Sequence, residues 1–88
     1  MMDILLIEDN KVLRNVYGLK IKNSGYQVEV ADSVEDGFYK AKTLLPKLIL
    51  LDVILGNGNG FDLLQNLKSD PVTKDMPVWI FSNLAQQS

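Results

Sequence analysis

The sequence predicts an α/β fold with an open, parallel β-sheet, and two observations lead to this prediction. Runs of aliphatic or aromatic residues occur at Ile4–Ile7, at 48–51 and at Val78–Phe81. Such runs leave no polar face, as in strands that are covered by helices on both sides. Between them lie segments with helical spacing of apolar residues, and this alternation favours a parallel sheet with right-handed crossovers.

The sequence pattern predicts two strands and two helices in the first half of the chain. The strand at Ile4–Ile7 is followed by apolar residues at helical spacing, which predict a helix over Lys11–Asn23. These residues are Val12, Leu13, Val16, Leu19 and, less regularly, Tyr17. The period-two alternation in 26–30 predicts a half-polar strand, which belongs at an edge of the sheet. Ser33 begins a capping-box pattern, so a second helix follows it and ends at Pro46.

The second half predicts two strands, one helix and two loops. After the strand at 48–51 we predict a glycine-rich loop over 54–60 and a helix over about 61–68. Prolines and charged residues predict a second loop over 69–77, before the fourth strand at Val78–Phe81. There is no internal repeat or linker, so the 88 residues are expected to form one domain.

The composition restricts the chemistry that this domain can perform. The chain contains neither cysteine nor histidine, which excludes disulfides, thiol catalysis and the usual zinc ligands. Its net charge of -2 gives no basic surface, so we expect no direct binding of nucleic acid. No signal peptide or membrane-spanning segment is present in these residues, so we expect a cytoplasmic protein without a membrane partner.

Reactive side chains follow three of the four predicted strands. Glu8 and Asp9 follow the first strand, Asp52 the third and Ser82 the fourth. If the strand order is 2-1-3-4, the first and third strands are neighbours, and ligands bind in the crevice at their carboxyl ends. The three acids would then converge and repel one another, which a hard divalent cation relieves, and Mg²⁺ suits a site with few protein oxygen ligands. The simpler alternative is that these acids only terminate strands at the wet edge of the sheet.

The glycine-rich segment after the third strand does not match a dinucleotide-binding loop. The glycine run at 56–60 reads G-x-G-x-G after the third strand, whereas a dinucleotide-binding loop requires G-x-G-x-x-G after the first. We therefore read these glycines as flexible turn residues.

A phosphatase of the haloacid-dehalogenase type also uses an aspartate at a strand end. It normally has a second aspartate two residues later, where this chain has Ile54.

Three spaced motifs, IEDN, LLDVILGNGNGFDLL and MPVWIFSN, carry a resemblance to a known family. The second has a glycine eight positions after Asp52, and the third leads to a hydroxyl thirty positions after it. With these motifs the chain resembles the receiver domain of response regulators in bacterial two-component systems. The resemblance implies a flavodoxin-like fold in which Asp52 accepts a phosphoryl group and Ser82 contacts that group. It also implies an Mg²⁺ site formed by Glu8, Asp9, Asp52 and the backbone carbonyl of Ile54.

The resemblance implies a role in signalling rather than metabolism. The chain would take a phosphoryl group from a sensor histidine kinase or a phosphotransfer protein. It would assist its own phosphorylation and dephosphorylation, rather than act as an enzyme on a separate substrate. The alternative is an interaction module that has the same architecture and does not switch.

The chain departs from the family pattern near its C-terminal end. The family has five strands, so residues 1–88 are expected to form a receiver domain that is incomplete there and lacks the lysine of the fifth strand. Asn83 stands where the family usually has a small residue, and Gly56 where it often has proline. An incomplete sheet would expose the edge of the fourth strand. We therefore expect a homodimer, an exchange of elements through this edge, or a chain that is the remnant of a longer protein.

Overall fold

The computed structural model describes residues 2–55 and 58–81. Most predicted elements are present at or near their expected positions. In the described residues the elements are, in order, β1 (Ile4–Ile7), α1 (Lys11–Asn23), β2 (Val28–Ala31), α2 (Val34–Leu44), β3 (Leu48–Asp52), β4 (Ile54–Leu55), β5 (Gly58–Asn59), α3 (Gly60–Ser69) and β6 (Val78–Phe81). The second strand begins at Val28, two residues later than predicted, and it includes Ala31.

Four strands form one parallel sheet in the order β2-β1-β3-β6. This confirms the predicted α/β class and the strand order 2-1-3-4, with β6 as the fourth strand of the sheet. The half-polar β2 lies at an edge, as its alternating sequence predicts. β1 lies between β2 and β3, and Ile7 of β1 is in register with Leu51 of β3.

The predicted loop over 54–60 is in part a small hairpin, so this prediction was wrong. β4 and β5 pair in antiparallel orientation, with Ile54 opposite Asn59 and Leu55 opposite Gly58. The side-chain oxygen of Asn59 accepts a hydrogen bond from the amide of Phe61 at 2.8 Å, and this cap lets α3 begin at Gly60.

The second helix has a defined beginning and end. The hydroxyl of Ser33 accepts a hydrogen bond from the amide of Asp36 at 3.1 Å, which confirms the predicted N-terminal cap. At the other end, Leu45 adopts a left-handed backbone conformation with φ of 50°. The buried Pro46 follows it and cannot continue a helix.

One face of the sheet forms the main core with α2 and α3. Its fully buried side chains come from both sheet and helices and include Leu5, Ile7, Ile49, Leu51, Ala41, Leu63 and Leu67. α1 packs on the opposite face, so the sheet has helices on both sides. The helical period predicted α1 correctly, but three of the apolar residues that predicted it are exposed: Val12, Val16 and Leu19.

The face that carries α1 has an apolar groove beside this helix. The groove has a volume of about 360 Å³ and is lined by Leu6, Tyr17, Lys20, Ile21, Leu50, Trp79, Ile80 and Phe81. The rings of Tyr17 and Phe81 meet edge to face at its side, with centroids 5.9 Å apart. In the described part of the chain β6 is an outer strand of the sheet, and its Trp79 side chain is 66% exposed. None of the helices in residues 2–55 and 58–81 combines the length and apolar character needed to cross a membrane.

Candidate functional site

The register of the parallel sheet brings two acids together. Because Ile7 and Leu51 are directly opposite each other, the residues that follow them, Glu8 and Asp52, lie side by side at the carboxyl edge. The amide of Glu8 donates to the carbonyl of Ala31 at 3.0 Å, so the backbone of β1 remains tied to β2 at this point. The amide of Val53 likewise donates to the carbonyl of Phe81 at 3.1 Å. Both acids are therefore held on an ordered backbone.

Glu8, Asp9 and Asp52 form the acidic cluster that the sequence predicted. One carboxylate oxygen from each residue lies within 4.8 Å of the corresponding oxygens of the other two. Glu8 and Asp52 are fully buried, and Asp9 is partly exposed. Ionised carboxylates are costly to bury unless hydrogen bonds or a positive charge compensate them.

The pKa of Glu8 reflects the electrostatics of the cluster. Burial raises the pKa of Glu8 from 4.5 to about 7, and its side-chain hydrogen bond with Asp52 and the negative charge of Asp52 act in the same direction. The amide of Asn10 lies 3.4 Å from the Glu8 carboxylate and opposes this increase in pKa. Close to neutral pH a proton on Glu8 therefore relieves the repulsion that a bound cation would otherwise relieve.

The donor set suits a hard divalent cation. All three side chains offer carboxylate oxygens, and the chain has no histidine or cysteine that would favour zinc or a softer metal. Glu8 and Asp9 directly follow β1, and Asp52 is the last residue of β3, so the three acids come from the ends of two neighbouring strands. The residues present thus fit Mg²⁺ on their chemistry.

Sequence reasoning missed two residues that support the cluster. The guanidinium of Arg14 donates from Nη1 to the backbone carbonyls of Glu8 and Asp9, each at 3.2 Å. The side chain of Asn10 caps α1 by accepting from the amide of Leu13 at 3.0 Å. These contacts tie the segment with Glu8 and Asp9 to the first turns of α1. The capping pattern was visible in the sequence, whereas nothing in the spacing of Arg14 indicated its contacts.

The other predicted site residues are less fully described. Ile54 follows Asp52 by two residues and begins β4, so its backbone leaves the sheet next to the acidic cluster. Ser82 and Asn83 lie outside the described residues, as does Gly56. The proposed contact of Ser82 with a phosphoryl group therefore stays a prediction from the sequence.

Comparisons with known proteins agree with this arrangement of strands. The model of the family described as response regulator receiver domain matches residues 4–88. The chain belongs to the response regulator receiver domain family. Receiver domains of this family bind Mg²⁺ in an acidic pocket and interact with histidine kinases or phosphotransfer proteins. The resemblance seen in the sequence motifs is thus confirmed.

Curated relatives of this receiver chain are longer proteins. A gliding motility regulatory protein of Myxococcus xanthus is 37% identical over 82 residues, which are 93% of this chain and 11% of that protein. The DNA-binding transcriptional regulator RpaA of Synechocystis is 34% identical over 83 residues, or 94% of this chain and 34% of RpaA. The chain therefore spans about a third of the second relative and much less of the first.

Solved receiver structures share the fold. The N-terminal domain of a response regulator receiver protein from Methanoculleus marisnigri superposes with a TM-score of 0.85 at 29% identity, covering 91% of this chain and 65% of that one. The chemotaxis protein CheY4 of Vibrio cholerae gives a TM-score of 0.84 at 22% identity, covering 99% of this chain and 76% of that one. These likenesses support the flavodoxin-like, CheY-like arrangement of the parallel sheet.

Proposed function

We propose that this chain is a phosphoacceptor in two-component signalling, with Asp52 as the residue that is phosphorylated. The observation that carries the proposal is the convergence of Glu8, Asp9 and Asp52 within 4.8 Å at the carboxyl edge of a parallel sheet. Burial of two of these acids supports the site, because a buried acidic cluster lowers stability and such clusters are typical of functional sites. Membership of the receiver family supports the same assignment.

In the proposed reaction a carboxylate oxygen of Asp52 attacks the phosphorus of a phosphohistidine. The new P–O bond forms as the P–N bond breaks, and the imidazole nitrogen keeps the electron pair of the broken bond. Glu8, Asp9, Asp52 and the backbone carbonyl of Ile54 would hold Mg²⁺, which supplies positive charge against the phosphoryl oxygens. Ser82 would donate a hydrogen bond to one of these oxygens. The chain would in this way assist its own phosphorylation and dephosphorylation.

The donor in this proposal is a sensor histidine kinase or a phosphotransfer protein in the cytoplasm. Such a donor has to contact the surface around the acidic cluster to bring its histidine close to Asp52. α1 begins beside that cluster and exposes Val12, Val16 and Leu19 at helical spacing. Exposed apolar stripes of this kind bind partner proteins, so α1 is the surface on which we expect the donor to pack.

A second copy of the chain is the other proposed partner. In the described residues β6 lies at the edge of the sheet, and its Trp79 and Ile80 side chains are exposed. An apolar edge strand pairs readily with another strand, so we propose that two copies associate or exchange elements through β6.

A second function, that of an interaction module that does not switch, is favoured by one observation. Asp52 is fully buried, so a donor can reach its carboxylate only when neighbouring groups move apart. If this movement does not occur, the acidic cluster contributes only to the shape and charge of the edge. The two functions predict opposite results in a phosphorylation experiment.

The test is the mass of the intact chain after incubation with acetyl phosphate and Mg²⁺. We expect one added phosphoryl group in the wild-type chain and none in Asp52→Asn. Asp62→Asn is the matched control, because Asp62 is an exposed acid on α3 and lies outside the cluster. Binding of beryllofluoride, which mimics an acyl phosphate, should follow the same pattern. A folded wild-type chain that takes up neither reagent would favour the module that does not switch.

A further inference from the structure

Gly60, the first residue of α3, lies against the backbone at the end of β3. A Cβ atom built on Gly60 would lie 2.4 Å from the Cα of Val53, 2.8 Å from the carbonyl oxygen of Asp52 and 3.0 Å from the carbonyl carbon of Val53. These atoms belong to the backbone, so they cannot turn aside as the end of a flexible side chain can. Any residue other than glycine would therefore push the start of α3 and the end of β3 apart.

The need for glycine at this position is one of space and not of backbone conformation. Gly60 is buried and helical, and Gly25 is the one glycine in the described residues with a positive φ. The sequence interpretation of 56–60 as flexible turn glycines is therefore wrong for Gly60. Because glycine has no side chain, the two backbones can approach each other more closely here than any other residue would allow.

We propose that Gly60 is a positioning residue for the phosphoacceptor and metal site, an inference that rests on the function proposed above. Its amide donates to the carbonyl of Val53 at 3.3 Å, so it adds a hydrogen bond to the close contact. Val53 lies between Asp52, which supplies a carboxylate, and Ile54, which supplies the proposed carbonyl ligand. By holding Val53 in place, Gly60 sets the separation of the ligand oxygens on either side of it.

Because of this role, a substitution of Gly60 should affect the binding of Mg²⁺ more than it affects other properties of the chain. Mg²⁺ requires near-ideal octahedral geometry, so a small displacement of two ligand oxygens lowers its affinity strongly. Displaced supporting groups at metal sites typically reduce affinity by about ten- to a hundredfold. We expect a loss of this size in Gly60→Ala, measured as the Kd for Mg²⁺ by titration calorimetry.

Two other glycines provide matched controls. A Cβ on Gly37 would lie 2.8 Å from the terminal methyl carbon of Ile7, a side-chain contact inside the main core. Gly37→Ala therefore creates strain in the core without touching the backbone beside Asp52. A Cβ on Gly18 would meet Val30 at 3.5 Å, an ordinary contact, so Gly18→Ala is a neutral reference. We expect both variants to keep the wild-type Kd for Mg²⁺, even where Gly37→Ala lowers the melting temperature.

A second pair of variants tests the inference if Gly60→Ala does not fold. Asn59→Ala removes the side chain that caps α3 and so loosens the helix start without adding an atom at Gly60. Ser33→Ala removes the corresponding cap of α2, away from Val53. We expect similar losses in melting temperature for the two variants, with a weaker affinity for Mg²⁺ in Asn59→Ala alone.

The outcomes separate this inference from the proposed function. If the wild-type chain binds neither Mg²⁺ nor beryllofluoride, the proposed function is wrong and the inference has no basis. If the wild-type chain binds both and a folded Gly60→Ala binds Mg²⁺ equally well, the function stands and the positioning role is wrong. Where Gly60→Ala is unfolded, equal Mg²⁺ affinities in Asn59→Ala and Ser33→Ala overturn the role in the same way.

Discussion

Glu8 and Asp52 extend from neighbouring parallel strands at the same level, and their buried carboxyl groups share a hydrogen bond. This pairing couples the protonation of the cluster to whatever cation it binds. Without a cation, a proton on Glu8 removes one of two adjacent negative charges. With a cation present, the Glu8 carboxyl can ionise, and its proton is released. The behaviour of the chain should therefore depend on pH and on Mg²⁺ together.

The first prediction concerns stability and pH in the absence of metal. The pKa of Glu8 is about 7 in the folded chain and 4.5 in its reference state, so the folded chain binds more protons between these values. The contribution of Glu8 to the free energy of unfolding is fully present below pH 4.5 and is lost as pH rises through about 7. Urea denaturation in chelator should therefore show a midpoint that falls from pH 5 to pH 8.

The control for this prediction is Glu8→Gln, which cannot titrate and should make the midpoint nearly constant over the same range. Two other acids, Asp3 and Asp70, affect the stability of the folded chain at lower pH than this range. Backbone hydrogen bonds from Gln27 and Val72 hold the pKa values of Asp3 and Asp70 below 3.8, so their contributions are lost only as pH falls further. A wild-type midpoint that rises between pH 5 and pH 8 would contradict the proposed coupling.

The second prediction concerns Asp52→Asn at pH 8. Replacing this carboxylate removes the repulsion with Glu8, so the metal-free variant should be more stable than the wild type, by about 1 kcal/mol if the relief equals most of one pKa unit. Mg²⁺ at a hundred times its Kd should stabilise the wild-type chain by about 2.7 kcal/mol and the variant much less. Urea denaturation with and without Mg²⁺ measures both effects. Equal stabilisation of the two proteins by Mg²⁺ would show that Asp52 is not a ligand of the metal.

The sequence predicted those features that follow from strand order and register. Once β1 and β3 are neighbours in a parallel sheet, acids that directly follow them have to meet, which is why Glu8 and Asp52 could be paired in advance. The contacts of Arg14 and Gly60 could not be predicted, because they depend on how closely a helix approaches a turn or a strand. Helical spacing likewise located α1 but not the orientation of Val16, since the helix carries apolar residues on more than one side.

The third prediction concerns the end of α2. Leu45 has a φ of 50°, so its left-handed conformation is costly, and it is 43% exposed, so a large part of its apolar surface is in contact with water. Leu45→Gly should raise the free energy of unfolding by about 0.5 to 1 kcal/mol, because glycine adopts this conformation without strain. The control is Thr43→Gly at an exposed position within the helix, which should lower stability by about 1 kcal/mol. Loss of stability in both variants would contradict this prediction.

The fourth prediction concerns association through β6. Trp79 is 66% exposed on this strand, and adjacent residues of a strand point to opposite faces, so with Ile80, 45% exposed, both faces of the edge carry apolar surface. We expect the wild-type chain to self-associate in sedimentation velocity experiments at increasing concentration, and Trp79→Lys to shift it towards the monomer because a lysine opposes edge pairing. Val72→Lys is the control, since Val72 is exposed away from the sheet and its replacement should leave association unchanged. A wild-type chain that stays monomeric at high concentration would exclude β6 as an interface, and the exposed stripe of α1 would then be the better candidate for contact with other proteins.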